Sequence, residues 1–369
     1  MDAPFTISLF TKAFQWVGVL ADPQAVTITP RFNAQPTGQI VVPNTHRLLP
    51  IMLTEGCRVT VDYAGAQVMS GVLDSVQGDG APDGQVTFQL RDDFGLFSEV
   101  LAWPVPTAAL TAQTLAYDVR SGPAETVLKG YVQANAVARL GLPVTVATDQ
   151  GRGSNIKVQA RMKPLGDYLF PAVSDAGLGV SVRQVGTGLV VDCYEPSTYP
   201  LTLTPDSGIV AAWSWSDAAP NVTRTVAGGQ GDGTARAFAS YVDTASESTY
   251  ALVREAFVDA TDVTNSTDLA TRAQTSQVDG QRRTGLSLTL NETRTFKYGT
   301  NLSVGDTVTE QLIPSAPART HTLTEATLNW SVDQGFTATP AVGDIDTVDR
   351  TLAKALGRTA KRLRDLGSR

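Results

Sequence analysis

Few residues in this chain are of the types and spacings that catalyse. His46 and His321 are its only imidazoles, and neither lies in a metal-ligand spacing such as His-Glu-x-x-His. Cys57 and Cys193 each sit in an apolar, strand-like run, so they read as two buried free thiols. No Gly-x-Ser-x-Gly elbow occurs. Asp92 and Asp93 could form a carboxylate pair, but neighbours on a strand point to opposite faces, so a solvated turn is the expectation.

Gly228-Gly229-Gln230-Gly231-Asp232-Gly233 has the look of a phosphate cradle. It ends in Thr234-Ala235-Arg236 with no lysine, and Ala237–Val242 after it reads as a strand where a phosphate loop needs a helix. The glycines read as a left-handed or tightly packed loop. Trp213 and Trp215 alternate with period two and could stack on a sugar, but a buried aromatic core is the preferred reading. No catalytic residue, no cofactor-binding residue and no metal ligand is assigned, and the chain is expected not to be an enzyme.

The elements that would carry these residues are mostly strands. Residues 1–106 show short alternating runs, Gly38–Pro43, Arg58–Tyr63, Gln67–Leu73 and Gln85–Leu90, separated by turn signals at Ala64-Gly65, Gly78-Asp79-Gly80 and Pro82-Asp83-Gly84. This spacing suggests a barrel or sandwich. Residues 107–205 read as an α+β insertion. A helix starts near Ser121-Gly122-Pro123-Ala124-Glu125, and a second near Pro164 runs to Gly177; two strands then meet across Gly186-Thr187-Gly188. Residues 206–346 return to strands, with a polar helical stretch near 266–283. Residues 347–369 form a basic amphipathic helix, with Val348, Leu352, Leu356, Leu363 and Leu366 along one stripe. The fold class is therefore mainly β with an α+β insertion.

Length and charge narrow the function. At 369 residues the chain is long enough for two or three domains and a substantial core. The net charge of −7 argues against general nucleic-acid binding. Residues 350–369 hold seven basic side chains and one acid, a net of +6, which leaves −13 for the rest. The N-terminus shows no secretory pattern and no apolar run is long enough to span a bilayer, so the chain is expected to be made and used in solution, without membrane insertion.

Four phrases in fixed order carry a resemblance: Trp103–Pro106, Gly228–Gly233, Arg254–Asp259 and Tyr298–Asp306. With Leu53–Val59, Gly122–Val127, Gly177-Leu178-Gly179 and Asp192–Pro196 they make the chain similar to the minor tail proteins that form the tail-tip, or baseplate, hub of actinobacterial long-tailed phages (siphophages). The resemblance implies a structural virion protein at the distal end of the tail, made in the host cytoplasm, with two tube-like β-barrel or sandwich domains. It implies a homotrimer whose paired β domains match a six-fold tube. Its partners would be the tail tube, distal tail and other tail-tip proteins and the tape measure, with DNA passing through its channel during genome ejection without specific binding. The acidic body predicts an acidic to neutral channel wall. The alternative function is a module that binds or hydrolyses host cell-wall carbohydrate.

Overall fold

A computed structural model describes residues 3–343 except 79, 80, 82, 83, 262, 264, 279, 292, 294 and 295. The turns read at Gly78-Asp79-Gly80 and Pro82-Asp83-Gly84 lie partly outside the described residues, and the helix read over 347–369 lies wholly outside them.

In chain order the first elements are β1 (Phe5–Phe10), β2 (Trp16–Leu20), β3 (Ala25–Thr29), β4 (Thr37–Pro43), α1 (Leu49–Met52), β5 (Arg58–Tyr63), β6 (Ala66–Gly78), β7 (Gln85–Asp92) and α2 (Leu96–Glu99). The insertion holds β8 (Asp118–Pro123), α3 (Ala124–Val132), β9 (Val144–Val146), β10 (Asn155–Ala160), α4 (Leu165–Asp175), β11 (Gly179–Val185) and β12 (Gly188–Tyr194). There follow β13 (Val210–Ala218), β14 (Arg224–Gly228), β15 (Phe238–Val242), α5 (Thr244–Tyr250), β16 (Glu255–Asp259) and α6 (Ser266–Val278). The chain closes with β17 (Arg283–Leu290), β18 (Thr307–Glu310), β19 (Arg319–Ser331) and β20 (Gly335–Gly343).

Two compact units result. The first comprises Met1–Trp213 and Leu288–Val342; of the second, Ser214–Ser287 is described. These limits differ from boundaries at 107, 206 and 347 because long-range strand pairing decides compactness. The main sheet of the first unit runs β20-β19-β3-β4-β7-β6-β5-β1-β2, with β18 on β19. Leu328 faces Ile28 and Trp330 faces Val26, so apolar side chains from the two ends of the chain share one face. The alternation along β1, β3, β4 and β19 puts Ile7, Leu9, Ile28, Ile40, Val42, Leu328 and Trp330 into one core. Each such side chain contributes about 1.5–3 kcal/mol of burial. Tyr63 and Phe336 stack at 5.0 Å within it. The fold is mainly β as read, but among the described residues the sheet does not close into a barrel; it ends at β2, which pairs with β1 alone.

The insertion packs α3 and α4 on the sheets β10-β8 and β11-β12-β9. Helix α3 places Val127, Leu128, Tyr131 and Val132 inward at three- and four-residue spacing and widens into a π turn over Gln133–Arg139. Its start lies later than read: Ser121, Gly122 and Pro123 finish β8, and Pro123 is the N-cap residue. The second unit is a three-stranded sheet ordered β15-β14-β16. Helix α6 covers one face of it, with Leu269 and Ala273 against Ala227. Helix α5 is an addition to the sequence reading; its only signal is Asp243, which caps it by accepting from Ser246 N–H at 3.0 Å.

Candidate functional site

The four phrases turn out to be latches. Trp103 N–H donates to Asn135 Oδ1 at 3.0 Å, and the Arg139 guanidinium lies 4.7 Å over the Trp103 ring. The two prolines leave Trp103 and Val105 as the donors of that stretch, and Gln113 meets both the N–H and the carbonyl of Val105. In Tyr298–Asp306, Asp306 accepts from Ser303 N–H and Ser197 N–H, both at 2.8 Å. Arg254 donates to the Pro220 carbonyl at 2.7 Å.

The phrase Tyr298–Asp306 also lines a groove of about 450 Å³ in the first unit. Tyr63, Tyr194, Arg183 and Glu195 share its wall, and Asp92 borders it. This groove carries opposite charges and phenol rings but no histidine or cysteine on its lining.

Asp92 and Asp93 depart from the solvated turn expected of them. Asp92 is buried and Asp93 half-buried with its carboxylate covered, and both serve one neighbour rather than opposite faces, because β7 ends there and Asp92 caps the turn that follows. Asp92 accepts from Phe94 N–H at 2.8 Å and from Ser70 N–H at 3.2 Å. Asp93 accepts from Ser70 Oγ at 2.7 Å and pairs with Arg58 at 2.6 Å. Burial pushes the Asp92 carboxyl up to about 8, against the two backbone donors that favour its charged form. The pair is thus one buffered acid and one ion-paired carboxylate.

A second buried charge cluster sits in the insertion. Glu125 is fully buried and accepts from Arg152 through both guanidinium nitrogens at 2.8 and 2.9 Å, and from Lys129 Nζ at 2.6 Å. Lys129 and Arg152 also reach Asp192 Oδ1, at 2.8 and 3.2 Å. The Arg152 hydrogen bonds, followed by Lys129, hold the Glu125 carboxyl well below the usual carboxylate range, against the opposing effect of burial. Cys57 and Cys193 are buried free thiols, and burial pushes Cys193 up to about 12, too high for a nucleophile.

In the second unit the glycine run is filled by Arg236. Its Nη2 and Nε donate to the Gly228 and Gly229 carbonyls at 3.0 and 3.1 Å, and its guanidinium pairs with Asp259. A phosphate cradle offers N–H groups, whereas this loop offers carbonyls. A methyl on Gly228 would stand 2.7 Å from the Phe257 ring, which explains that glycine.

Trp213 and Trp215 are 38% and 46% exposed, so the buried aromatic core expected of them is corrected: β13 turns those residues outward. His46 Nδ1 accepts from Leu48 N–H, and His321 Nε2 lies 3.4 Å from Glu310. Among the described residues no cluster of three His, Cys, Asp or Glu side chains could hold a metal, and no helix is long and apolar enough to cross a membrane.

The model of the Siphovirus ReqiPepy6 Gp37-like protein family matches residues 6–344. The chain belongs to this family. No curated protein matches it. Among solved structures, this Gp37-like chain is similar to the 43 kDa tail protein of prophage MuSo2 from Shewanella oneidensis, with a TM-score of 0.61 and 13% identity over 92% of this chain and 98% of that one. It is also similar to a tail protein from Neisseria meningitidis MC58 (TM-score 0.56, 14% identity, 93% and 97% covered) and to prophage tail protein gp18 from Listeria monocytogenes EGD-e (TM-score 0.53, 12% identity, 95% and 99% covered). The Gp37-like chain therefore has the fold of phage tail proteins along nearly its whole length.

Proposed function

We propose that this Gp37-like chain is a structural, non-enzymatic protein of the phage tail and forms the hub at the tail tip, as a homotrimer that joins the tail tube and distal tail to the tip and lines the DNA exit channel. The observation that carries the reading is a fold shared with phage tail proteins over nearly the full length of each. The phrases shared with the hub family support it, because each serves packing or latching rather than chemistry. A trimer whose subunits each present two β-rich regions would match a six-fold tube, and an acidic to neutral wall would let DNA slide.

Imaging of intact particles with this subunit labelled, together with a copy count per tail, tests the proposal. Three copies at the distal end are expected. Six copies, or a label along the tube, would overturn the hub assignment. Binding to purified host cell walls with release of sugar would favour the carbohydrate-directed alternative.

A further inference from the structure

Exposed apolar side chains concentrate on the insertion. No charged residue occurs between Glu99 and Asp118, and Leu110 and Leu115 within that stretch are 62% and 58% exposed. Leu101, Tyr117, Val119 and Leu140 are exposed with them. These six are a third of the large apolar side chains exposed among the described residues, a cluster rather than ordinary scatter. The stretch is firmly built. Gln113 accepts from Val105 N–H and donates to the Val105, Ala108 and Ala109 carbonyls. Ala108 and Ala112 N–H donate to the Val105 and Ala109 carbonyls, and Pro104 and Pro106 have no N–H to satisfy. The one side-chain amide of the stretch is thus spent on its own backbone. Arg139 joins its start, donating to the Leu101 carbonyl at 2.9 Å while it covers the Trp103 ring.

Cations border this apolar stretch. In the two-stranded ribbon of β8 and β10, register pairs Val119 with Gln159 and Ser121 with Lys157 on the exposed face, while Val158 and Ala160 enter the core. Continuing that ladder brings Tyr117 beside Arg161, whose guanidinium lies 6.0 Å from the ring centroid. Arg139, Lys157, Arg161 and Lys163 pair with no carboxylate among the described residues. The acids of the stretch are otherwise engaged: Asp118 with Arg120, Glu125 with Arg152 and Lys129, and Asp149 with Gly151 N–H. From Leu101 to Pro164, which form a bridge, the chain holds seven bases and three acids, a net of +4, which leaves −11 for the rest. A basic patch on an acidic chain calls for a negatively charged partner.

We propose that this surface of the insertion docks on a membrane of anionic phospholipid. Leu110 and Leu115 enter the boundary between headgroups and acyl chains, and Lys157 and Arg161 meet the phosphates. Tyr117 beside Arg161 is an aromatic ring with a polar end next to a cation, the pairing suited to a headgroup layer. Two observations favour lipid over an acidic protein. A protein interface forms about one hydrogen bond per 100–200 Å², yet the amide of this stretch is already used internally. Backbone groups satisfied from within are also what contact with lipid requires. The contact is peripheral, since no helix among the described residues is long and apolar enough to cross a bilayer. It goes beyond the hub assignment and stands at any copy number.

The test is vesicle flotation with the full-length chain. Vesicles of phosphatidylcholine with about a third phosphatidylglycerol are compared with phosphatidylcholine alone, at about 0.1 M salt. Binding at least about tenfold tighter to the anionic vesicles is expected, and it should weaken at high salt. Two double variants, Leu110→Ser with Leu115→Ser and Lys157→Gln with Arg161→Gln, change exposed side chains and should melt as the parent does. Each is expected to bind at least about tenfold more weakly. An environment-sensitive dye on Leu115→Cys should brighten with the anionic vesicles and not with phosphatidylcholine; Cys57 and Cys193 are buried and stay unlabelled. Equal binding to both vesicle types, or a dye that does not respond, would overturn the proposal. So would full binding by the two double variants, which would move the contact to the basic residues 350–369. Absence of vesicle binding would also overturn it, and retention on polyglutamate in that case would point to an acidic protein instead.

Discussion

Gly71 stands so close to the carbonyl oxygen of Arg91 that a methyl on its Cα would lie 2.0 Å away. Gly71 belongs to two ladders at once, facing Val59 of β5 and Asp92 of β7. It is the point at which β6 passes from one partner to the other, and the two backbones close to a distance that only glycine permits. Gly71→Ala is therefore expected to destabilise the first unit by about 3 kcal/mol or more, because the obstacle is backbone and cannot swing aside. Chemical denaturation monitored by fluorescence would measure it; a loss below about 1 kcal/mol would show that the ladders can part at no great cost.

Asp92 gives the fold a pH dependence of definite sign. Its folded value, about 8, lies above the ordinary carboxylate value of the unfolded chain. The unfolded state therefore binds fewer protons between about pH 4 and 8, and stability falls as pH rises through that window by up to about 1.4 kcal/mol per unit. Asp92→Asn removes the titration while keeping an acceptor for Phe94 N–H. A flatter stability curve over that window is expected in the variant, and identical slopes would refute the assignment.

The opposite sign belongs to Glu125. Its folded value lies below that of the unfolded chain, so its contribution is present above the ordinary glutamate range and is lost as pH falls through the acid range. Glu125→Gln leaves Asp192 as the one carboxylate facing Lys129 and Arg152, with the Thr148 carbonyl still accepting from Lys129. A loss of about 3–5 kcal/mol at neutral pH is expected, shrinking in acid. Thermal melts of both proteins at pH 7 and at about pH 2.5, well below the ordinary glutamate value, would reveal it.

Asn33 ties the main sheet's loop to the insertion. Its backbone is left-handed, with φ of 47°, and its side chain donates to Ser174 Oγ and the Leu178 carbonyl while accepting from Val180 N–H. Asn33→Ala loses three hydrogen bonds and strains the backbone, for an expected cost of about 3–4 kcal/mol. Asn33→Gly keeps the backbone free and should cost about 1 kcal/mol less. Equal costs for the two variants would show that the conformation carries no strain.

Local pattern made part of this architecture readable. The hairpin of β11 and β12 falls where Gly186-Thr187-Gly188 placed its turn, and α6 begins at Ser266 as read, because turn chemistry and helical spacing are properties of neighbours in sequence. The pairing of β19 with β3 depends on two equally apolar faces meeting, and many strands in the chain offer such a face. Asp92 and Asp93 were illegible for another reason. Their burial is decided by Ser70 and Arg58, more than twenty residues away, and a pair of adjacent acids on a strand end otherwise signals solvent. Trp213 and Trp215 show the converse, since alternation reports a shared face but not whether that face is covered.

The bond between Thr27 Oγ1 and Asn329 Oδ1 joins residues 302 positions apart in sequence. During synthesis, then, β3 emerges from the ribosome long before the strand that flanks it. At about 5–20 residues per second the wait is on the order of 15–60 s. Through that interval β3 presents an unpaired edge beside an apolar face, the arrangement that invites association with other nascent chains. Yield in the host should accordingly depend on translation speed and on chaperones that shield Ala25–Thr29, and slower codons before residue 319 would lengthen the exposure rather than relieve it.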